Sequence, residues 1–160
     1  MKEKDGEHPF GDAGQLILLV LFLIVWIVDS FFLRTSTLLS DDIPLYSRLV
    51  FLGLALATGA YLSMSGHDKT CREQRGTKVV SSGAFRYVRH PLYLACLLFY
   101  LGLAVSTASI FSLAFVVVIF IFYNYIATYE ERLLDEKFGE EYRKYKRRTG
   151  KWMPRFGKGN

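Results

Sequence analysis

Residues 15–33 are almost wholly apolar, residues 49–64 are apolar and small, and residues 91–127 are nearly free of charge. No feature constrains the fold more than these blocks. A run of about 18 or more apolar residues can cross the hydrocarbon core as a helix. Backbone groups find no water there and must pair within the helix. A soluble helical core would show shorter blocks broken by polar faces. Hydrophobic residues make up 51% of the 160, in keeping with an all-α integral membrane protein forming one domain, 1–160.

The spacing predicts a bundle of four transmembrane helices near 15–33, 46–64, 91–104 and 109–127, with a cytoplasmic tail over 128–160. The first block is too long for the apolar region of a signal peptide. Phe31, Phe32, Leu33 and Arg34 follow it in place of small residues, so it reads as a retained helix. Only residues 105–108 separate the third and fourth helices, which predicts a tight antiparallel hairpin. Residues 128–148 contain no proline, so the fourth helix is expected to run on without a break. The tail carries an apolar stripe of Leu134, Phe138, Tyr142 and Tyr145, an expected Glu140–Lys144 pair, and Gly139 in mid-helix. It reads as a C-terminal amphipathic helix, either lying on the membrane surface with Trp152 as an anchor or covering a pocket over the hairpin.

Basic residues set the expected orientation. Lys2 and Lys4 precede the first helix, and Arg34 and Arg48 flank the first loop. Lys69, Arg72, Arg75, Lys78, Arg86 and Arg89 lie between the second and third, and ten more follow the fourth. Both termini are therefore expected in the cytoplasm. The net charge of +5 follows from this pattern, with some affinity for anionic membrane lipid, and gives no sign of a nucleic-acid partner. Short loops without an organelle signal point to a prokaryotic inner membrane. Cys71 and Cys96 lack metal-ligand spacing; both are expected as free thiols, and no metal site is expected. In the second helix, Gly53, Ala57 and Ala60 form one small-residue path, and Ala55 and Gly59 another, suited to close helix packing. Asp29, near the outer end of the first helix, reads as a snorkelling or capping group.

Two polar clusters border the last two helices. In residues 82–93, Pro91 suits the first position of a helix and makes His90 its cap. The exposed amides of that turn suit an anion, with Arg89 beside them and Tyr93 one turn further in. The same residues also suit an ordinary juxtamembrane anchor. In the second cluster the hairpin returns Glu130 and Glu131 to the same membrane face. Tyr123, Ala127 and Glu130 share one helix face there. An acid at that point pairs with the basic patch or with a ligand's ammonium or sulfonium charge.

Gly-x-Phe-x-Tyr-x-Arg-His-Pro-x-Tyr over 83–93, a helical hairpin, Glu-Glu-x-Leu over 130–133 and Phe-Gly-x-x-Tyr-x-x-Tyr over 138–145 together resemble the isoprenylcysteine carboxyl methyltransferase family, related to the phospholipid N-methyltransferases. The resemblance covers about residues 80–154. It implies a helical membrane bundle that binds S-adenosylmethionine. By position it implies cofactor contacts at Val80, Phe85, Arg89, His90, Pro91, Leu92, Tyr93 and Glu130, with His90 and Glu130 as the catalytic pair. Phe85 stands where the family often has tyrosine. Ile126 stands where the eukaryotic members place a substrate-binding arginine.

The implied function is methyl transfer to a lipophilic or prenylated acceptor, foremost an isoprenylcysteine-type carboxylate, alternatively a phospholipid or other amine or thiol acceptor. Alignment of nucleophile, methyl and sulfur supplies most of such catalysis. A carboxylate acceptor needs no general base, whereas an amine does, with Glu130 or Glu131 as the candidate. Two other readings compete. Membrane sterol reductases are similar around Arg-His-x-x-Tyr and use NADPH, and a non-enzymatic scaffold would account for the helices alone.

Overall fold

The computed structural model describes residues 11–72 and 78–155, with side chains placed for 11–66 and 78–155. Lys2, Lys4, Arg75 and the side chains of Lys69, Cys71 and Arg72 lie outside the described residues. The described chain is helical. Its elements are α1 (Gly11–Ile27), α2 (Leu45–Arg72), α3 (Pro91–Thr107), α4 (Ile110–Phe138) and α5 (Glu140–Arg148). A π-helical turn, Val28–Leu33, continues α1.

Three helical segments are long and apolar enough to cross a membrane: Gly11–Leu33, Leu45–Gly66 and Ile110–Phe138. The fourth apolar helix, α3, is shorter at 17 residues. The chain is a membrane protein built on these segments. Several expected boundaries move. The second helix runs on to Arg72 because residues 65–72 contain no proline to stop it. The third reaches Thr107, so the expected four-residue connection shrinks to Ala108 and Ser109. Ala108 closes α3 in the left-handed conformation (φ 54°), its N–H bonding the carbonyls of Ala104 and Val105.

The expected unbroken run to Arg148 is interrupted at Gly139. Its backbone, at φ 53° and ψ −123°, is a conformation that L side chains rarely adopt. The chain therefore bends there, and α5 starts in a new direction. Glu140 pairs with Arg143 at 3.1 Å and lies 3.8 Å from Arg147, rather than making the expected Lys144 contact. These exposed pairs contribute little to stability.

Helix α3 is the central element. α2 packs along one side of it, and α4, with α1 against it, along another. The two small-residue paths of α2 separate cleanly. Ala55 and Gly59 are buried, Gly59 close against the Ala95 carbonyl, whereas Gly53, Ala57 and Ala60 are exposed. The main core joins Phe22, Leu97, Tyr100, Ala104, Ile119 and Tyr123. Phe22 meets Tyr100 edge-on at 4.8 Å, a favoured ring geometry.

Of the two readings of Asp29, as a snorkelling or a capping group, the first does not hold: the residue is 3% exposed. Oδ1 accepts from the Thr35 hydroxyl at 2.9 Å and the Ser36 N–H at 3.1 Å. Oδ2 accepts from Ser109 at 2.6 Å and from the Ser36 hydroxyl. The π turn, closed by Arg34 N–H to the Asp29 carbonyl at 2.7 Å, turns this side chain toward the α3–α4 connection. Ser36 then caps α4, its carbonyl accepting from Ile110 N–H and its hydroxyl from Phe111 N–H. Trp26 and Ser30 add hydrogen bonds to Thr107, and Arg48 reaches the Ser106 carbonyl at 3.1 Å. This turn end of the bundle is a hydrogen-bonded clamp in which the Asp29 carboxylate and the N-terminus of α4 both find partners.

Candidate functional site

The opposite end collects the start of α3, the last turns of α4 and the tail. Pro91 is buried at the first position of α3, where its missing N–H costs nothing. That fixes His90 as the cap residue. Its carbonyl accepts from Leu94 N–H at 3.0 Å, and its side chain makes no capping bond. The imidazole turns to α4 instead. Nε2 lies 3.3 Å from Oε1 of Glu131, and Nδ1 lies 3.7 Å from Oε2 of Glu130. The adjacent acids point apart because successive helical residues are rotated by about 100°.

Glu131 is 5% exposed and is surrounded by cations. Arg89 Nε donates to Oε1 at 2.8 Å, and Lys146 Nζ lies 3.1 Å from Oε2. The Arg89 Nη1 also donates to the Lys146 carbonyl at 3.2 Å and to the Thr149 carbonyl. A buried guanidinium satisfied this way is costly to strip of its partner. Glu130 is less deeply set, and its Oε1 accepts the Tyr93 hydroxyl at 2.5 Å. Tyr93 stacks on His90 at 5.7 Å with 5° between the rings, and packs against Tyr123 at 5.1 Å.

The tail returns to this cluster. Arg89 N–H donates to the Gly150 carbonyl at 2.9 Å, within a short parallel bridge of Val88 and Gly150. A side chain on Gly150 would strike the Met153 carbonyl, so only glycine permits this turn. Lys151 Nζ donates to the Asn124 carbonyl at 3.2 Å, its amide oxygen at 2.8 Å and Thr128 Oγ1 at 2.7 Å. Trp152 Nε1 donates to the same amide oxygen at 3.2 Å. The indole packs on His90 at 5.9 Å and on Phe120 at 5.5 Å. Trp152, one of whose expected places was the membrane surface, is therefore part of this cluster.

The electrostatics follow from burial. Desolvation pushes the His90 imidazole below its ordinary range, against the pull of Glu131 and with the help of the Lys151 and Arg89 charges. His90 is accordingly neutral near pH 7. Burial lowers the Lys151 ammonium as well. It raises the Tyr142 phenol, and the negative charge of Glu131 raises it further.

Beyond Arg89, whose Nη1 reaches the Thr149 carbonyl, a groove of about 510 Å³ opens between residues 79–86 and α5 and has Thr149 in its lining. Arg86, Lys144 and Arg148 line it with Val79, Tyr145 and one acid, Glu141. Its two walls are tied by the Tyr145 hydroxyl, which donates to the Phe85 carbonyl at 2.7 Å.

Of the residues singled out from sequence, His90, Tyr93 and Glu130 meet directly, and Arg89 joins them through Glu131. Phe85 contributes its carbonyl to the groove wall. Val80 is half-buried between two groove-lining residues. Pro91 and Leu92 pack instead on Gly66 of α2. Ile126 is buried at 1% exposure, so no cation stands at that position. Sequence reasoning did not single out Lys146, Lys151 and Asn124 or the place of Trp152 beside His90. The Glu130-Glu131 doublet was visible, but its division of labour was not.

Known proteins resemble parts of this chain. A bacterial relative from Bradyrhizobium diazoefficiens, methanethiol S-methyltransferase 1, is 39% identical over 44% of this chain and 24% of its own length. The cobalt-zinc-cadmium resistance protein CzcN of Cupriavidus metallidurans is 34% identical over 70% of this chain and 50% of its own length. Protein-S-isoprenylcysteine O-methyltransferase B of Arabidopsis thaliana is 32% identical over 52% of this chain and 43% of its own length. The chain spans half or less of the length of each of these relatives. The pattern of one family, described as phospholipid methyltransferase, matches residues 47–141, a stretch that holds all but the first two residues of α2, all of α3 and α4, His90, Tyr93 and both glutamates; the chain belongs to that family.

Proposed function

We propose that the protein is a membrane-embedded methyltransferase that uses S-adenosylmethionine and acts on a lipophilic acceptor. One observation carries the reading. Glu130, Tyr93 and His90 converge at one end of the bundle, and Arg89, bound to Glu131, reaches the carbonyl of Thr149 at the edge of a groove of about 510 Å³, within the ordinary range of roughly 300–1,000 Å³ for small-molecule sites. Two of the relatives compared above carry methyltransferase in their names, one acting on sulfur and one on oxygen.

The residues present fit such a cofactor. Glu130, steadied by the Tyr93 hydroxyl, suits an ammonium or sulfonium charge. Arg86 and Lys144 suit a carboxylate, and Val79 and Tyr145 offer apolar surface for a flat ring. When bound, the cofactor supplies an electrophilic methyl group. The protein's part is alignment and exclusion of water. Trp152 and the tail shield His90, and Arg89 with Glu131 fixes the α3 start against α4.

In this reading all four apolar helices cross the bilayer. α3, at about 1.5 Å per residue, is somewhat shorter than the hydrocarbon core. The site end then faces the cytoplasm with both termini. The cofactor enters there, and the acceptor arrives from the bilayer.

Calorimetry on the detergent-purified protein tests the site. S-adenosylmethionine and S-adenosylhomocysteine are expected to bind and NADPH is not. Glu130→Gln and His90→Ala are each expected to weaken binding at least about tenfold, the equivalent of 1.4 kcal/mol. Unchanged affinity in both folded variants removes the proposed site. NADPH binding in place of the methyl donor would favour a reductase.

A further inference from the structure

Building on the methyl-transfer reading, we infer that Glu131 is a positioning residue: it holds His90 in the Nε2–H form, so that the Nδ1 lone pair beside Glu130 is the site's proton acceptor. Three observations carry this. The Oε1 atom of Glu131 lies 3.3 Å from Nε2, and a carboxylate in contact with Arg89 and Lys146 accepts hydrogen bonds rather than donating them. Nε2 must then carry the proton. Nδ1 faces Oε2 of Glu130 at 3.7 Å, so a proton arriving there meets a carboxylate on each side of the ring. Finally, His90 is 7% exposed, packed between Tyr93 and Trp152.

The groups facing the imidazole come from every element around it. Glu130 and Glu131 stand on α4, Tyr93 on α3, Arg89 before α3, and Lys151 in the tail; Lys146 of α5 acts through Glu131. Glu131 favours a proton on the ring, and the Lys151 and Arg89 charges oppose it; Glu130 lies 3.7 Å from Nδ1 on the other side. Burial keeps the resting ring neutral. The arrangement serves an acceptor with an ionisable proton on its nucleophilic atom, such as a thiol or an ammonium. The N–H or S–H bond breaks, its electron pair stays on the acceptor atom, and the proton moves to Nδ1. From there it leaves through Glu130, the less buried acid. A carboxylate acceptor makes no use of this device. The buried Ile126 offers it no cation either.

The test uses ¹⁵N-histidine-labelled protein carrying His8→Gln and His67→Gln, which leaves His90 as the sole histidine of the three. At pH 7.5 the expected spectrum shows a protonated Nε2 and an unprotonated Nδ1. A protonated Nδ1, alone or as imidazolium, overturns the inference. Glu131→Gln removes the charge and is expected to lower the His90 titration midpoint by about 1–3 pH units, with Glu131→Asp restoring part of the shift. The acid limb of kcat is expected to follow, with KM for the cofactor changed less than about twofold. A midpoint that stays in place in a folded Glu131→Gln protein shows a merely structural Glu131. The spectra read the tautomer whether or not the protein turns over, so failure of the methyl-transfer reading in calorimetry is separable from failure here.

Discussion

Asp29 and Glu131 are both nearly sealed from solvent, at 3% and 5% exposure, yet their surroundings differ. Asp29 sits among hydroxyls and one amide N–H, with no cation in contact among the described residues. Glu131 touches Arg89, His90 and Lys146. Hydroxyl donors come from short side chains near the π turn and the α3–α4 connection, and they pin helix ends at fixed positions. The cations at the other end come from two separate segments, Arg89 before α3 and Lys146 on α5. They leave a titratable ring and a second acid beside the carboxylate. The first arrangement suits a clamp, and the second suits chemistry. A buried carboxylate therefore says little by itself, and its partners decide what it does.

The comparison breaks most readily at Glu131. Glu131→Ala leaves Arg89 buried without its carboxylate, and we expect a loss of about 3–5 kcal/mol in unfolding free energy, measured by denaturant unfolding in detergent. Asp29→Ala is expected to cost less, about 1–3 kcal/mol. Ser109 and Ser112 already bond each other at 2.8 Å, and Ser36 lies 3.5 Å from Ser109, so the freed hydroxyls find substitutes. Cofactor affinity is expected to survive Asp29→Ala within about twofold, since the residue lies at the other end. Equal losses in the two variants would show that the cations and the hydroxyls do the same work.

Acidification sharpens the same contrast. Burial holds the folded His90 below the unfolded value near 6.5. Below that value the unfolded chain takes up a proton that the folded one does not. Stability therefore falls as pH drops from about 6.5 toward the folded midpoint, with a slope of at most about 1.4 kcal/mol per pH unit. His90→Gln is expected to remove that part of the slope. An unchanged slope would assign the acid sensitivity to other groups.

The smallest expected effect concerns the tail. Lys151→Met deletes three hydrogen bonds to α4 and is expected to cost about 1 kcal/mol net, because each bond exchanges against water. Trp152 keeps its own bond to Asn124. Its fluorescence is expected to change only slightly in Lys151→Met and strongly in Asn124→Ala, which removes the oxygen that both residues share.

Much of this was legible beforehand. The apolar blocks announced the helices, because helix length in a bilayer is written directly in composition. Pro91 announced the start of α3, and the short connection announced the α3–α4 hairpin. The convergence of His90 with Glu130 and Glu131 followed from that hairpin. The helix ends were less legible. Gly139 read as a mid-helix residue, since helical spacing continues on both sides of it, and is instead the point where the helix breaks, with no described residue packed close against it. Asp29 read as an interfacial acid because the π turn that redirects it leaves no mark in the sequence.

Composition and spacing determined that this chain forms apolar helices, where α3 begins, and which polar residues gather at its start. Those properties are local: each depends on a residue and its near neighbours along the chain. Only the tertiary structure decided which glutamate meets Arg89, that Trp152 closes over His90, and that Lys151 docks on Asn124. The doublet Glu130-Glu131 is chemically symmetric in sequence. Its symmetry is broken by the helical phase of α4 against α3 and by the return of the tail, contacts between residues tens of positions apart.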